Sequence, residues 1–142
     1  MIFDKQSMFS DAQAITASAA STNVIDLGAS GTPYGGAAAL VRDLGKSDAE
    51  LNIQVVKDFA TLTSLKVAVQ TSDDEAFSSP AIVLESEAIP LATLKAGYRF
   101  PITRVPEGTN KRYVRLYYTV AGTNATAGTV TAGITLGNQS NR

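Results

Sequence analysis

Apolar and polar residues alternate along several short stretches of the chain, and this alternation predicts β-strands. Successive side chains of a strand point to opposite faces of a sheet, so a half-buried strand is apolar at every second position. The clearest stretches are residues 51–56, 65–70, 112–120 and 129–136. Weaker examples occupy residues 13–19, 22–27, 80–86 and 98–105. Because no segment carries a convincing apolar stripe at helical spacing, the pattern favours an all-β chain.

Clusters of turn-forming residues separate these stretches, at residues 28–36, 71–80, 106–111 and 121–128. About seven to eight short strands joined by such turns predict an antiparallel β-sandwich. The chain has no Cys and no Trp, so it lacks the Cys…Trp…Cys pattern of an immunoglobulin domain. We therefore predict a sandwich of jelly-roll type over residues 12–137, with an N-terminal arm at 1–11 and a short C-terminal tail at 138–142.

Composition excludes several classes of partner. A length of 142 residues suits one domain that buries its own core. The absence of Cys rules out disulfides and thiolate metal sites and agrees with assembly in a reducing compartment. A formal net charge of −1 argues against nucleic-acid binding, which needs a basic surface. No apolar run approaches the roughly 20 residues of a membrane span.

Candidate catalytic groups are few. The chain has no His and no Cys, so it lacks the commonest general base, metal ligand and nucleophile. Paired carboxylates could still serve a glycosidase, from the set Asp73, Asp74, Glu75, Glu85 and Glu87. The first three lie in a predicted hairpin loop, where a solvated turn is the simpler interpretation. We expect no enzyme, no cofactor and no metal.

The stretch 112–120 carries an unusual outer face. One side of it is apolar, with Val114, Leu116, Tyr118 and Val120. The other side holds Tyr113, Arg115, Tyr117 and Thr119. Tyr and Arg are enriched at binding hot spots, which favours a protein interface. A cross-strand ladder within the sheet would use the same residues. The sequence leaves both interpretations open.

Charge placement adds to the interface hypothesis. Residues 73–87 hold five acids and no base, whereas 95–115 hold six bases and one acid. Such complementary segments suit a protein that docks on copies of itself or on a fixed partner. The candidate interface residues are Arg99, Arg104, Arg112, Tyr113, Arg115 and Tyr117, together with the apolar N-terminal residues Phe3, Met8 and Phe9. These last three either fold back onto the sandwich or reach a neighbour.

Six segments in order along the chain resemble the capsid cement (decoration) proteins of tailed bacteriophages. They span residues 9–28, 42–45, 69–80, 88–97, 104–120 and 128–136. The resemblance implies a small jelly-roll protein on the outer surface of the virion, made in the host bacterial cytoplasm. It would bridge subunits of the major capsid protein and associate with itself as a dimer or trimer. The loop at 28–41 looks specific to this chain.

Two other functions remain as alternatives. One is a carbohydrate-binding β-sandwich module of a phage tail spike or fibre. Such sites stack aromatic rings on sugars and often use Trp, of which the chain has none. The other is the small glycosidase, which needs two carboxylates at a fixed separation.

Overall fold

The computed structural model describes residues 3–137, and in them the chain forms an all-β fold. The seven strands are β1 (Phe3–Ala14), β2 (Ala19–Ala20), β3 (Ile25–Asp26), β4 (Glu50–Ser72), β5 (Ala81–Glu85), β6 (Ile89–Pro90) and β7 (Tyr113–Thr135). A single 3₁₀ turn, Leu44–Ser47, precedes β4 in this described part of the chain. Over the same residues, no helix is long and apolar enough to cross a membrane.

The two longest strands, β4 and β7, lie at the centre of the fold. Each has 23 residues, and they pair antiparallel from Glu50↔Thr135 at one end to Ser72↔Tyr113 at the other. The register shifts repeatedly between Val55 and Ser64. Extra residues in one strand of a pair bend it and increase its twist. The ribbon therefore bends near its middle and contributes one half to each of two layers.

The first layer contains the start of β4 and the end of β7. β1 pairs with β7 on one side. On the other side residues 98–105 run along β4, with backbone hydrogen bonds that include Phe100 N–H to Ile53 (2.9 Å) and Leu51 N–H to Thr103 (2.9 Å). Pro101 lies between these contacts and has no N–H to donate. For this reason the predicted strand at 98–105 forms only isolated bridges.

The second layer contains the end of β4 and the start of β7. β2 and β3 flank β7, whereas β5 and β6 flank β4. Apolar side chains from both layers form one core cluster, including Ile53 and Val130 from the first layer and Val67 and Leu116 from the second. A 2.8 Å hydrogen bond between Ser10 of β1 and the buried Tyr118 of β7 joins the layers. These contacts confirm the predicted all-β antiparallel sandwich.

The bend occupies a segment that the sequence marks as a turn. The sequence predicts that residues 121–128 separate two strands, but they lie within β7, where Ala121, Gly122 and Ala127 pair with β4, so that prediction is wrong. Gly122 (φ +81°) and Gly128 (φ +132°) supply backbone conformations that favour glycine. A Cβ on Gly128 would lie 2.2 Å from the Phe59 ring. The small residues that suggest a turn are therefore needed to bend a continuous strand.

The N-terminal residues belong to the sheet. Residues 3–11 form most of β1 and pair with β7, in place of the separate arm expected over 1–11. Phe9 is buried in the core and gives this segment its anchor. The predicted tail at 138–142, like residues 1 and 2, lies outside the described residues.

The weaker strand predictions have mixed outcomes. The stretch 80–86 is confirmed as β5. The stretch 22–27 contains only the two-residue β3, and 13–19 contains the end of β1 and the beginning of β2 with a bend between them. Ile15 in that bend is fully buried, so the apolar pattern there reports burial and not strand geometry.

Candidate protein-interaction surfaces

The unusual face of residues 112–120 lies on the outer side of the second layer. Val114 and Leu116 are buried in the core, and Tyr113, Arg115 and Tyr117 alternate with them. These last three are partly exposed, and we call them the Tyr–Arg face. The predicted division of this strand into an inner and an outer side is therefore confirmed.

The Tyr–Arg face contacts a loop of its own chain. The loop at residues 73–80 folds back so that Phe77 is only 5% exposed. The Arg115 guanidinium lies 4.1 Å from the centre of the Phe77 ring and 5.8 Å from that of Tyr117. Arg115 Nε also donates to Oε1 of Gln70, its partner on β4, at 2.8 Å. Arg115 thus takes part in a cross-strand pair, and its partial burial lowers its pKa.

Acidic residues shape and fasten the 73–80 loop. The Asp74 carboxylate accepts hydrogen bonds from the Ser78 hydroxyl (2.6 Å) and from the backbone N–H groups of Ala76 and Ser78. The Ser78 hydroxyl, followed by these backbone groups, lowers the pKa of Asp74. Asp73 forms an ion pair with Lys111 at 3.2 Å. Part of the predicted charge complementarity is therefore used within the chain.

Arg112 fastens β3 to β7. Its guanidinium donates two hydrogen bonds of 2.8 Å to the Asp26 carboxylate and lies 5.0 Å from the centre of the Tyr113 ring. The Arg112 hydrogen bonds and the Gly28 N–H lower the pKa of Asp26 to about 2. This bidentate pair fixes the relative orientation of the guanidinium and carboxylate planes, which a single hydrogen bond does not.

The remaining charged candidates lie on the other outer face, that of the first layer. Arg99 Nε donates to Asn52 at 3.0 Å, and Arg104 pairs with Asp48 at 2.7 Å. Phe3 is on this face too, with its ring against Gly133. The structure therefore brings Phe3, Arg99 and Arg104 to one side of the sandwich and the Tyr–Arg face to the other. Arg99 and Arg104 bridge Gln54 and Glu50 in the first part of β4, whereas Arg115 pairs with Gln70 near its end.

Met8 and Phe9, the last two interface candidates, lie in β1. Phe9 is buried in the core, and Met8 is partly buried beside Gly133. Folding back onto the sandwich, one of the two outcomes that the sequence left open, is the arrangement observed for this segment. Phe9 is therefore placed to stabilise the chain itself.

The protruding loop at residues 28–41 is the feature that the sequence left without a role. Every residue from 29 to 41 is exposed, and none of them is charged. The tip is a turn closed by Gly36 N–H to Pro33 at 2.9 Å, with Gly35 at φ +77° as a type II turn requires. Tyr34 at this tip is fully exposed. In the sequence, this loop is marked by a long run without charged residues that ends in the apolar Leu40 and Val41.

The protruding loop is ordered by contacts at its base. Leu40 N–H donates to Gly31 at 3.0 Å, which joins its two limbs. The Arg42 guanidinium donates to the Gly28 carbonyl, and Gly28 N–H donates to Asp26 at 2.8 Å. The loop is thus a hairpin-like segment held to β3 at its base, and the residues of its tip are exposed.

Within residues 3–137, no group of three or more His, Cys, Asp or Glu side chains is placed to hold a metal ion. The distinctive side chains instead lie on outer faces and on the protruding loop. The strand order and the common core define an all-β antiparallel sandwich protein. The chain belongs to the Bbp16 family, whose family model matches residues 9–134. No curated protein matches the chain.

Proposed function

We propose that the protein is a capsid cement protein, which binds the outer surface of a tailed-phage head and stabilises its shell. The observation that carries the proposal is the resemblance of six ordered segments to cement proteins across residues 9–137. The family match covers nearly the same residues, 9–134, and the family name indicates a link to bacteriophages. A resemblance of this extent concerns the whole sandwich and not one local motif.

The physical character of the fold suits such a role. A ribbon of two 23-residue strands runs through both layers and is paired from Glu50 to Ser72, with register shifts at its central bend. Backbone pairing joins the flanking strands β1, β3 and β5 to this ribbon. A rigid body loses little conformational freedom when it binds, which favours attachment of many copies to a repeating surface.

The proposed partners are the major capsid protein and further copies of the chain itself. The proposal includes no nucleic acid, no membrane, no cofactor and no catalytic step. The protein would be made in the host bacterial cytoplasm and then join the outer surface of the virion. The surfaces available for these contacts are the two outer faces of the sandwich and the protruding loop.

Co-sedimentation with cement-stripped heads of the corresponding phage tests the proposal. Saturable binding at a fixed ratio to the major capsid protein is the expected result, with undepleted heads as the control for occupied sites. Failure of the folded protein to bind stripped heads would refute the cement role. Binding in a glycan screen by that same protein would then favour the carbohydrate-binding alternative.

The candidate interface residues are tested in the same assay. A chain with Arg115→Ala and Tyr117→Ala should bind heads more weakly if the Tyr–Arg face meets a partner. Because Arg115 also supports the 73–80 loop, unfolding of each variant must be measured first. Normal head binding by the folded double variant would exclude this face, and Arg104→Ala would then test the opposite face.

A further inference from the structure

Asn52, on the outer side of the first layer, carries a buried hydrogen-bond donor that has no acceptor. Its side chain is 2% exposed, and its Oδ1 accepts from Arg99 Nε at 3.0 Å. Because Arg99 Nε only donates, the amide oxygen must face it, and Nδ2 points elsewhere. Among the buried side-chain polar atoms of residues 3–137, Asn52 Nδ2 is the one without a hydrogen-bond partner. Such a donor is rare in folded proteins and destabilises the chain that contains it.

The same strand carries a second amide in the same arrangement. Gln70 of β4 is 6% exposed, and its Oε1 accepts from Arg115 Nε at 2.8 Å. In the described part of the chain, no atom of Gln70 is both buried and unpartnered. A contact between a buried amide and an arginine therefore does not by itself leave a donor unsatisfied. The unpartnered Nδ2 of Asn52 needs a separate explanation.

A recess lies beside Asn52, on the side away from Arg99. Asn52 pairs directly with Gly133 of β7, so the two residues share one face of the sheet. Because Gly133 has no side chain, the space above it is open to another group, and we call this space the Gly133 recess. A Cβ on Gly133 would lie 3.0 Å from the Phe3 ring, so this ring fills the recess. The ring carbons of Phe3 offer no acceptor oxygen to Nδ2.

Phe3 is held by the most irregular part of β1. Phe3 pairs with Thr135, and the next paired residue, Met8, pairs with Gly133, so residues 4–7 depart from the regular register. A cavity of about 280 Å³ lies between this segment and the end of β7, lined by Asp4, Ser7, Ile134, Thr135 and Leu136. Segments with irregular pairing and few packing contacts open at low free-energy cost. Phe3 can therefore leave the recess while the buried Phe9 keeps β1 in place.

The charges around the recess favour a neutral acceptor. Glu50, Asn52 and Gln54 share one face of β4, since they are two residues apart. Glu50 bridges Arg104, and Gln54 bridges Arg99, so charges of both signs lie on this face. A carboxylate would be attracted by the arginines and repelled by Glu50. A carbonyl oxygen accepts a hydrogen bond from an amide without carrying a net charge.

We propose that Asn52 is a docking residue, and that a main-chain carbonyl oxygen of the major capsid protein enters the Gly133 recess, displaces the Phe3 ring and accepts from Asn52 Nδ2. A glycine in a strand permits such a close approach by another backbone. This inference deepens the proposed function and rests on it, because it assigns the outer face of the first layer as the docking side. The Tyr–Arg face is in part covered by the chain's own 73–80 loop.

Head binding and urea unfolding of the full-length chain, measured side by side, test the proposal. Asn52→Leu replaces the amide with an apolar group of similar size. The urea midpoint of this variant should equal or exceed that of the unmodified chain, because an unsatisfied donor is removed. Its dissociation constant from cement-stripped heads should rise at least about fivefold, as loss of one hydrogen bond does. Asn52→Asp keeps an oxygen for Arg99 but lacks the donor, and it should also bind heads more weakly.

Three variants complete the design. Gln70→Met is the matched control for stability, because it removes the other contact between an amide and an arginine, and it should lower the urea midpoint. Ile82→Ala is the control for binding, since Ile82 is an exposed apolar residue on β5 of the second layer, and it should bind heads normally. Phe3→Ala empties the recess and should tighten head binding. Weaker binding by Phe3→Ala would overturn the displacement of Phe3.

The outcomes separate this inference from the function on which it rests. If the folded, unmodified chain does not bind stripped heads, the cement role fails and the inference fails with it. If that chain binds and Asn52→Leu binds as tightly, only the inference is overturned. A fall in the urea midpoint of Asn52→Leu as large as that of Gln70→Met would also overturn it, because Asn52 would then serve the fold. The ratio of the two dissociation constants should not change with salt, and a ratio that shrinks at high salt would overturn the carbonyl as acceptor.

Discussion

Replacing Phe77 with Ala tests whether the 73–80 loop covers the Tyr–Arg face. The Phe77 ring is 5% exposed and lies 4.1 Å from the Arg115 guanidinium. Full burial of a Phe side chain contributes about 1.5–3 kcal/mol. The contact between a cation and a ring adds about 0.5–1 kcal/mol at a partly exposed site. We therefore expect Phe77→Ala to lower the free energy of unfolding by about 2–4 kcal/mol.

Urea unfolding followed by circular dichroism measures this loss. Leu136→Ala is the control, because Leu136 is almost fully exposed and its truncation should change stability by less than about 0.5 kcal/mol. A double-mutant cycle with Arg115→Met isolates the contact between the two side chains, with an expected coupling of about 0.5–1 kcal/mol. A loss below about 1 kcal/mol without coupling would refute the packing argument. The face would then be open to a partner.

Three other predictions follow from the core and the ion pairs. Gly128→Ala should lower the free energy of unfolding by at least about 2 kcal/mol, as measured by thermal unfolding. The added Cβ would collide with the Phe59 ring, and the φ angle at this position disfavours residues other than glycine. Unchanged stability would contradict this prediction. Tyr118→Phe should lower the free energy of unfolding by about 0.5–1.5 kcal/mol, because it removes a buried hydrogen bond to Ser10. Burial also raises the pKa of Tyr118. Its phenolate should therefore be absent from an absorbance titration until the chain unfolds. The pKa of Asp26 is about 2 in the folded chain and 3.8 in the reference state, so its pairing with Arg112 stabilises the fold above pH 3.8 and is lost as the pH falls through about 2. Asp26→Asn should flatten this part of an acid-unfolding profile, and an unchanged profile would show that the pair contributes nothing.

Local alternation predicts the inner and outer sides of the strands well. In residues 112–120 the inner residues Val114, Leu116 and Tyr118 are buried as expected, because a period of two is a property of the strand itself. The same pattern does not show where a strand ends. Residues 121–128 look like a turn, yet Ala121, Gly122 and Ala127 pair with β4 and the whole stretch lies within β7. The strand is continuous there because of contacts with β4, such as those of Thr61 with Asn124 and Thr126, which lie some 60 residues apart in the chain. A pattern read over a short stretch of sequence does not include such a distant partner.

Loops that fold back onto a sheet are also hidden from pattern analysis. The acids at 73–75 suggest a solvated hairpin, and Asp73 is indeed largely exposed. The same loop nevertheless buries Phe77 against Arg115, since Asp74 turns the backbone through its bonds to Ala76 and Ser78. The Tyr and Arg residues marked an unusual face correctly. What the face contacts depends on tertiary structure.

The use of charge within the chain bears on how a partner would be recognised. Arg104, Lys111 and Arg112 each form an ion pair with an Asp of the same chain. Exposed ion pairs of this kind contribute little to stability, but a partner that takes over one member must first displace the other. The protruding loop has no such competitor, because it is uncharged and its Tyr34 is fully exposed. We therefore expect contacts through the loop to depend weakly on salt, whereas contacts through the arginines should weaken as salt screens them.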